Sequence, residues 1–306
     1  MMSFKTDTAE SNNTQLPVPH PFGWQSNDGL TLAGVEWVPA PMSDQHRKIP
    51  ILCLPGLSRN TRDFNDIALY LQKFGHRVIA LDYRGRGLSH WDPNWENYTL
   101  PMEQTDIVAA IDMLNLDKFA VLGTSRGGLH ALLMGQVYSV DRMAAVVFND
   151  IGPKIEMSGL RRIADSLDRP SAFRSFGDVA ELLQQSLEGQ FPKFKKDDWL
   201  KLSKQLASEK NGQIVFDYDP DLARQLDSLD DNQPLPELWD LYQPLTDRPV
   251  LVLRGEHSDL LGKETCRRMM DQHSNAQFRT IPDHGHAPVL WEPDTHAAIA
   301  KFLLSI

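Results

Sequence analysis

Short apolar runs take turns with amphipathic stretches over the first half of this chain, and that rhythm limits the folds open to it. Residues 49–56, 76–87, 118–124 and 143–150 carry the continuous apolar runs expected of strands covered on both faces. Between them, Phe64, Ile67, Ala68 and Leu71 fall at helical spacing. So do Ile107, Ala110, Ile111 and Leu114, and then Leu129, Leu132, Leu133 and Val137. Strand and helix in alternation predict a parallel sheet with helices on both faces. A strand at 30–38, entered from a shorter one through the turn Asn27-Asp28-Gly29, precedes this series. At Gly152-Pro153 the rhythm stops, and from there to about residue 240 the chain is charged and helical, with no convincing buried strand. It resumes with a strand at 248–255, a helix near 262–273, a strand at 276–281 and a last helix striped by Ile299, Phe302, Leu303 and Ile306. The expected plan is a polar leader (1–21), an α/β core (22–152), a helical cap insertion (153–240) and the rest of the core (241–306).

Charge and cysteine usage narrow the function classes. Thirty-one basic residues against 41 acidic ones give a net charge of −10 without a dense basic cluster, which argues against nucleic acid as a partner. The two cysteines, Cys53 and Cys266, read as free buried thiols, and two are too few for a disulfide scaffold. The first nineteen residues lack the apolar middle of a secretory signal, and no run approaches the roughly 20 residues of a membrane span. The expectation is a cytoplasmic protein with no membrane partner.

The run at 118–137 contains the chemistry. It breaks at Gly123-Thr124-Ser125-Arg126-Gly127-Gly128 and resumes at once with helical spacing. A serine hydroxyl is a weak nucleophile that needs a base within hydrogen-bond reach and a third group to orient that base. Gly-x-Ser-x-Gly between a strand and a helix holds such a serine exposed on a sharp turn, with glycines giving room on either side. The turn also puts Ser125 at a helix N-terminus, where unpaired N–H groups favour developing negative charge. Neither a Gly-x-x-x-x-Gly-Lys-Ser/Thr loop nor an early Gly-x-Gly-x-x-Gly is present, so nucleotide binding and a cofactor are not expected. His284-x-His286 lacks the further ligands of a metal site.

These features together resemble the α/β-hydrolase superfamily over nearly the whole chain, from about residue 22 to 306. The segments "DYRGRGLS" (82–89) and "FNDIGP" (148–153) resemble family segments as well. The resemblance implies a nucleophile, an acid and a histidine in that chain order. Gly285-His286-Ala287-Pro288 matches the family's Gly-His-x-Pro, which makes His286 the expected base and His284 a supporting loop residue. The family often places its acid three residues after the glycine that ends the strand, a position held here by Ser258. Asp259 lies one further and is the expected acid, with Asp150 after the preceding strand as the alternative. The expected oxyanion hole is made by the backbone N–H groups of Arg126 and Leu57. Pro55-Gly56 stands where many family members have His-Gly, so a side chain that braces that loop is missing.

A serine at the elbow implies acyl transfer and disfavours the family's epoxide hydrolases and haloalkane dehalogenases, which use aspartate there. The expected activity is hydrolysis of a carboxylic ester, lactone or thioester of a small to medium organic substrate. Carbon–carbon hydrolysis of ring-cleavage diketones and non-catalytic ligand binding are the alternatives. Trp91 and Trp95 are candidates for apolar walls of the substrate pocket or for ordinary core packing. Arg59, Arg62 and the Arg126 side chain are read first as ion-pair formers.

Overall fold

The computed structural model describes residues 19–40, 48–167, 172–230 and 232–306. Strands β1 (His20–Gln25) and β2 (Thr31–Trp37) form an antiparallel hairpin. The alternating part follows as β3 (Ile51–Leu54), α1 (Asn65–Gln72), β4 (Val78–Asp82), α2 (Leu100–Met113), β5 (Phe119–Thr124), α3 (Arg126–Met134) and β6 (Met143–Asn149). The next segment holds α4 (Met157–Leu167), α5 (Phe176–Leu187), α6 (Lys196–Leu206), the hairpin β7 (Ala207–Lys210) and β8 (Gln213–Phe216), and α7 (Trp239–Tyr242). The chain then closes with β9 (Val250–Gly255), α8 (Lys263–Asp271), β10 (Ala276–Ile281) and α9 (Pro293–Leu303).

Eight strands make one sheet in the order β1-β2-β4-β3-β5-β6-β9-β10. All neighbours from β4 to β10 are parallel, and only β1–β2 and β2–β4 are antiparallel. The run Ile51-Leu52-Cys53-Leu54 shows why its strand is wholly apolar. Leu52 and Leu54 enter one buried cluster with Ile107, Ile111 and Leu132 from α2 and α3, while Ile51 and Cys53 enter another with Ile67, Leu71, Ile299 and Phe302 from α1 and α9. Both faces of the pleat are covered, as the period of two requires.

The segment after β6 departs from expectation in one respect. It is mostly helical but carries the β7–β8 hairpin, closed by Asn211-Gly212 with φ of 53° and 76°. Positive φ at both turn residues suits the right-handed twist of a tight hairpin. The segment has its own apolar cluster around Leu183, Phe191, Trp199, Leu202 and Phe216, joined by Tyr98 and Val289 of the core. At the other end of the chain, most of the expected 1–21 leader lies outside the described residues, and β1 begins inside it at His20. Among the described residues no helix is long and apolar enough to cross a membrane. Cys53 and Cys266 are buried free thiols.

Candidate active site

Ser125 sits between β5 and α3 with φ 50° and ψ −114°, in a region that L-residues avoid at a cost of about 1–3 kcal/mol. The surrounding glycines make this turn possible. A Cβ on Gly127 would stand 2.0 Å from Leu54 O, and one on Gly123 would stand 2.5 Å from the Gly127 backbone. α3 packs too closely there against β5 and β3 for any side chain.

His286 reaches the site from the loop after β10, and Asp150 from the residue following β6. His286 Nδ1 lies 2.8 Å from Asp150 Oδ2, and His286 Nε2 lies 2.9 Å from Ser125 Oγ. With Nδ1–H donating to Asp150, Nε2 is left as an acceptor for the Ser125 hydroxyl. The carboxylate is fully buried and accepts two further bonds: Gly255 N donates to Oδ1 (2.8 Å) and Ser258 Oγ to Oδ2 (2.6 Å). The His286 loop is tied down by two further bonds. Asn149 Nδ2 donates to Pro288 O (2.9 Å), and the His286 N–H donates to Gln190 Oε1 (2.9 Å).

Asp259, the expected acid, is not the partner of His286. Arg162 of α4 binds it through Nε (2.6 Å) and Nη2 (2.7 Å), a two-pronged pairing that turns its carboxylate away toward the helix. Ser258 occupies the expected acid position and hydrogen-bonds to Asp150, which supplies the negative charge from the neighbouring strand. His284 keeps to a supporting place, with Nδ1 2.8 Å from Pro282 O and Nε2 3.0 Å from Glu292. Burial pushes its pKa down, but the Glu292 carboxylate, the Pro282 carbonyl and Asp283 together outweigh this and the net shift is upward.

A cavity of about 130 Å³ opens onto Ser125 and His286. Leu57 and Arg59 line it from the loop after β3, and Ile163, Leu183, Leu206 and Phe216 from the segment after β6. Trp91 and Trp95 do not line it. Trp91 borders a separate surface groove, and Trp95 lies under the Arg224 guanidinium, 4.2 Å from the ring centroid. The arginines form ion pairs: Arg59 with Asp63 (2.7 Å), Arg62 with Asp217 (2.5 Å) and Arg126 with Glu103 (2.5 Å). Sequence reasoning named Ser258 only as the holder of the family's acid position and did not single out Gln190 or Glu103; all three make long-range contacts. Among the described residues, Glu256, His257 and Asp283 form a small group able to face a cation, but it is exposed or half-exposed, and none of the three lines the Ser125 cavity.

The fold agrees with the comparisons. A family model for the alpha/beta hydrolase fold matches residues 49–293. The chain is 32% identical over 265 residues to the 3-hydroxybutyrate-oligomer hydrolase of Cupriavidus necator, which covers 82% of this chain and 87% of that protein. The crystal structure of an alpha/beta hydrolase from Novosphingobium aromaticivorans superposes with a TM-score of 0.86 at 34% identity, covering 94% of this chain and 99% of that one. E-2-(acetamidomethylene)succinate hydrolase shares the fold with a TM-score of 0.73 at 23% identity, covering 93% and 99%. On the strength of the family match over residues 49–293, of the 32%-identical relative and of the sheet order, the chain belongs to the α/β-hydrolase fold family.

Proposed function

We propose that this protein is a serine hydrolase that cleaves a carboxylic ester of a small or medium organic substrate through an acyl-enzyme on Ser125. The observation that carries the reading is the unbroken chain from Ser125 Oγ to His286 (2.9 Å) and on to buried Asp150 (2.8 Å). His286 takes the hydroxyl proton as Ser125 attacks the carbonyl carbon, and Asp150 stabilises the imidazolium that results. The tetrahedral oxygen is held by the N–H groups of Leu57 and Arg126, at the edge of the cavity and at the first turn of α3. His286 returns the proton to the leaving alcohol. A water activated by the same imidazole then releases the acid and restores Ser125.

The segment 153–240 serves as a cap over this cavity. Its volume of about 130 Å³ is well below the ~300–1,000 Å³ of common ligand pockets, which favours a short acyl chain. The similarity to the 3-hydroxybutyrate-oligomer hydrolase points the same way, to esters of short hydroxy acids.

A substrate panel tests the reading: p-nitrophenyl acetate and butyrate, a 3-hydroxybutyrate dimer, a lactone, an acyl thioester and a ring-cleavage diketone. The butyrate and the dimer are expected to be hydrolysed, and Ser125→Ala to lower kcat by about 10⁶-fold. Turnover of the diketone alone would replace the ester assignment with carbon–carbon hydrolysis. No turnover of any member would leave a binding protein.

A further inference from the structure

Pro55-Gly56 provides no side chain to brace the loop that carries Leu57, yet this loop is held from below. Tyr83 Oη donates to Pro55 O (3.1 Å) and Arg86 Nε to Leu57 O (2.8 Å). These carbonyls flank the Gly56–Leu57 peptide, whose N–H is one of the two oxyanion donors. Arg86 also donates through Nη1 to Glu103 Oε1 (2.6 Å). The other oxygen, Glu103 Oε2, accepts from Arg126 Nε (2.5 Å) and lies 3.1 Å from His130 Nε2. Arg126 Nη2 in turn donates to Tyr98 O (3.0 Å). One carboxylate thus reaches both donor residues, Arg126 directly and Leu57 through Arg86.

The energetics argue against a purely stabilising role. Glu103 and Arg86 are both 0% exposed, and Arg86 Nη2 is buried with no hydrogen-bond partner among the described residues. Replacing a buried ion pair by apolar groups is often neutral or stabilising, so such a cluster is a poor source of stability. What it supplies is fixed geometry, because every bond in it is directional and breaking one strands a charge in low dielectric. The local structure prepares the place. Glu103 lies in the first turn of α2, where the helix dipole favours negative charge. Arg126 and His130 are one turn apart on α3 and face the same acid.

We propose that Glu103 is a positioning residue that sets the spacing of the two oxyanion donors by clamping the Leu57 loop against the first turn of α3. The oxyanion role of these two amides comes from the hydrolase reading above. Arg126→Met cuts the direct arm and keeps its backbone N–H, whereas Glu103→Gln loosens both arms. Misplacement by 1 Å near reacting atoms costs about 10²-fold in rate. Glu103→Gln is therefore expected to lower kcat on p-nitrophenyl butyrate about 10²-fold and Arg126→Met about tenfold, with KM within about twofold of wild type. Affinity for a trifluoromethyl ketone, whose serine adduct places an oxyanion between the same amides, falls by the same factor as kcat. Arg126→Lys, which keeps a cation facing Glu103, recovers most of the loss. Ratios near one in both variants overturn the clamp, as does a fall in kcat with unchanged ketone affinity. Should Glu103→Gln fail to fold, Arg126→Met, at the edge of the cluster, decides the question alone. Wild-type turnover reads the hydrolase assignment, and the variant-to-wild-type ratios read the clamp.

Discussion

The floor of the site and the seam between the core and the 153–240 segment both use charge, in opposite ways. Under the elbow, Glu103 and Arg86 are fully buried and Asp150 is sealed beneath His286. Along the seam the pairs are half in water: Arg162 and Asp259 are each 25% exposed, and Arg62–Asp217 and Lys201–Asp66 each keep one or both partners wet. Pairs of the second kind contribute about 0–1 kcal/mol each and weaken with salt. The segment keeps its own shape by burying Trp199, Phe191 and Leu183, and the seam pairs add little beyond alignment. On the proposed hydrolase reading, groups that must hold reacting atoms to fractions of an ångström are locked, while the walls assigned to the substrate's variable part rest on replaceable contacts.

The two aspartates give that contrast its largest test. Asp150→Asn removes the charge facing the imidazolium and permits the wrong tautomer, and kcat/KM is expected to fall about 10⁴-fold. Asp259→Asn breaks only the pairing with Arg162 and is expected to stay within about threefold of wild type. Steady-state kinetics on p-nitrophenyl butyrate measure both. Equal losses would make the seam part of the catalytic floor and dissolve the distinction.

Why the sequence points to Asp259 while Asp150 is the carboxylate that lies against His286 has a physical answer. The strand–turn–helix that carries Ser125 was legible because independent constraints coincide at 118–137: a strand buried on both faces, glycines demanded by close approach, and a helical stripe. His286 was legible from Gly285 and Pro288 beside it. Two carboxylates compete for His286, Asp150 after β6 and Asp259 after β9, and Arg162, 97 residues from Asp259 in the chain, takes Asp259 out of reach by pairing with it. One signal did exist, a serine at position 258 that can donate to a carboxylate but cannot replace one. The β7–β8 hairpin also had its signal in Asn211-Gly212, but its strands are four residues long and half-exposed, too short for a clear alternation. The Glu103 cluster joins residues from 86 to 130 through side chains alone, so no local pattern announces it.

The pH dependence of stability offers a test of intermediate size. Burial by itself would raise the Glu103 carboxyl, but Arg126, Arg86 and His130 outweigh it and hold it well below its ordinary value of 4.5. Its stabilisation is therefore complete above about pH 4.5 and is lost as the pH falls toward the lower folded-state value. Asp82 has the opposite sign: burial raises it to about 6 despite the N–H groups of Leu88 and Thr61, so protonation below that pH favours the folded state. Comparing wild type with Glu103→Gln cancels Asp82 and isolates the floor. Between pH 5 and pH 3, roughly, the wild-type Tm is expected to fall more steeply than the variant's, by about 5 °C over the range. Parallel curves would mean that the buried carboxylate is not held ionised by its arginines.

The smallest expected effect belongs to the seam. Arg162 lines the cavity and grips Asp259, but it touches neither Ser125 nor His286 through any hydrogen bond. Arg162→Ala removes one half-exposed pair, worth about 1 kcal/mol or less, so Tm is expected to drop by about 1–4 °C. With p-nitrophenyl acetate, kcat should stay within about twofold of wild type, because the chain from Ser125 to Asp150 is intact. KM for butyrate is expected to move about threefold as α4 loses its anchor on the loop after β9 and Ile163, on the same helix, shifts at the cavity wall. Raising salt should bring wild type toward the variant's Tm, since screening weakens the same pair that the substitution deletes. A kcat loss approaching that of Asp150→Asn would show that the segment holds the reacting atoms as tightly as the floor does, and the division of labour between the two regions would fall.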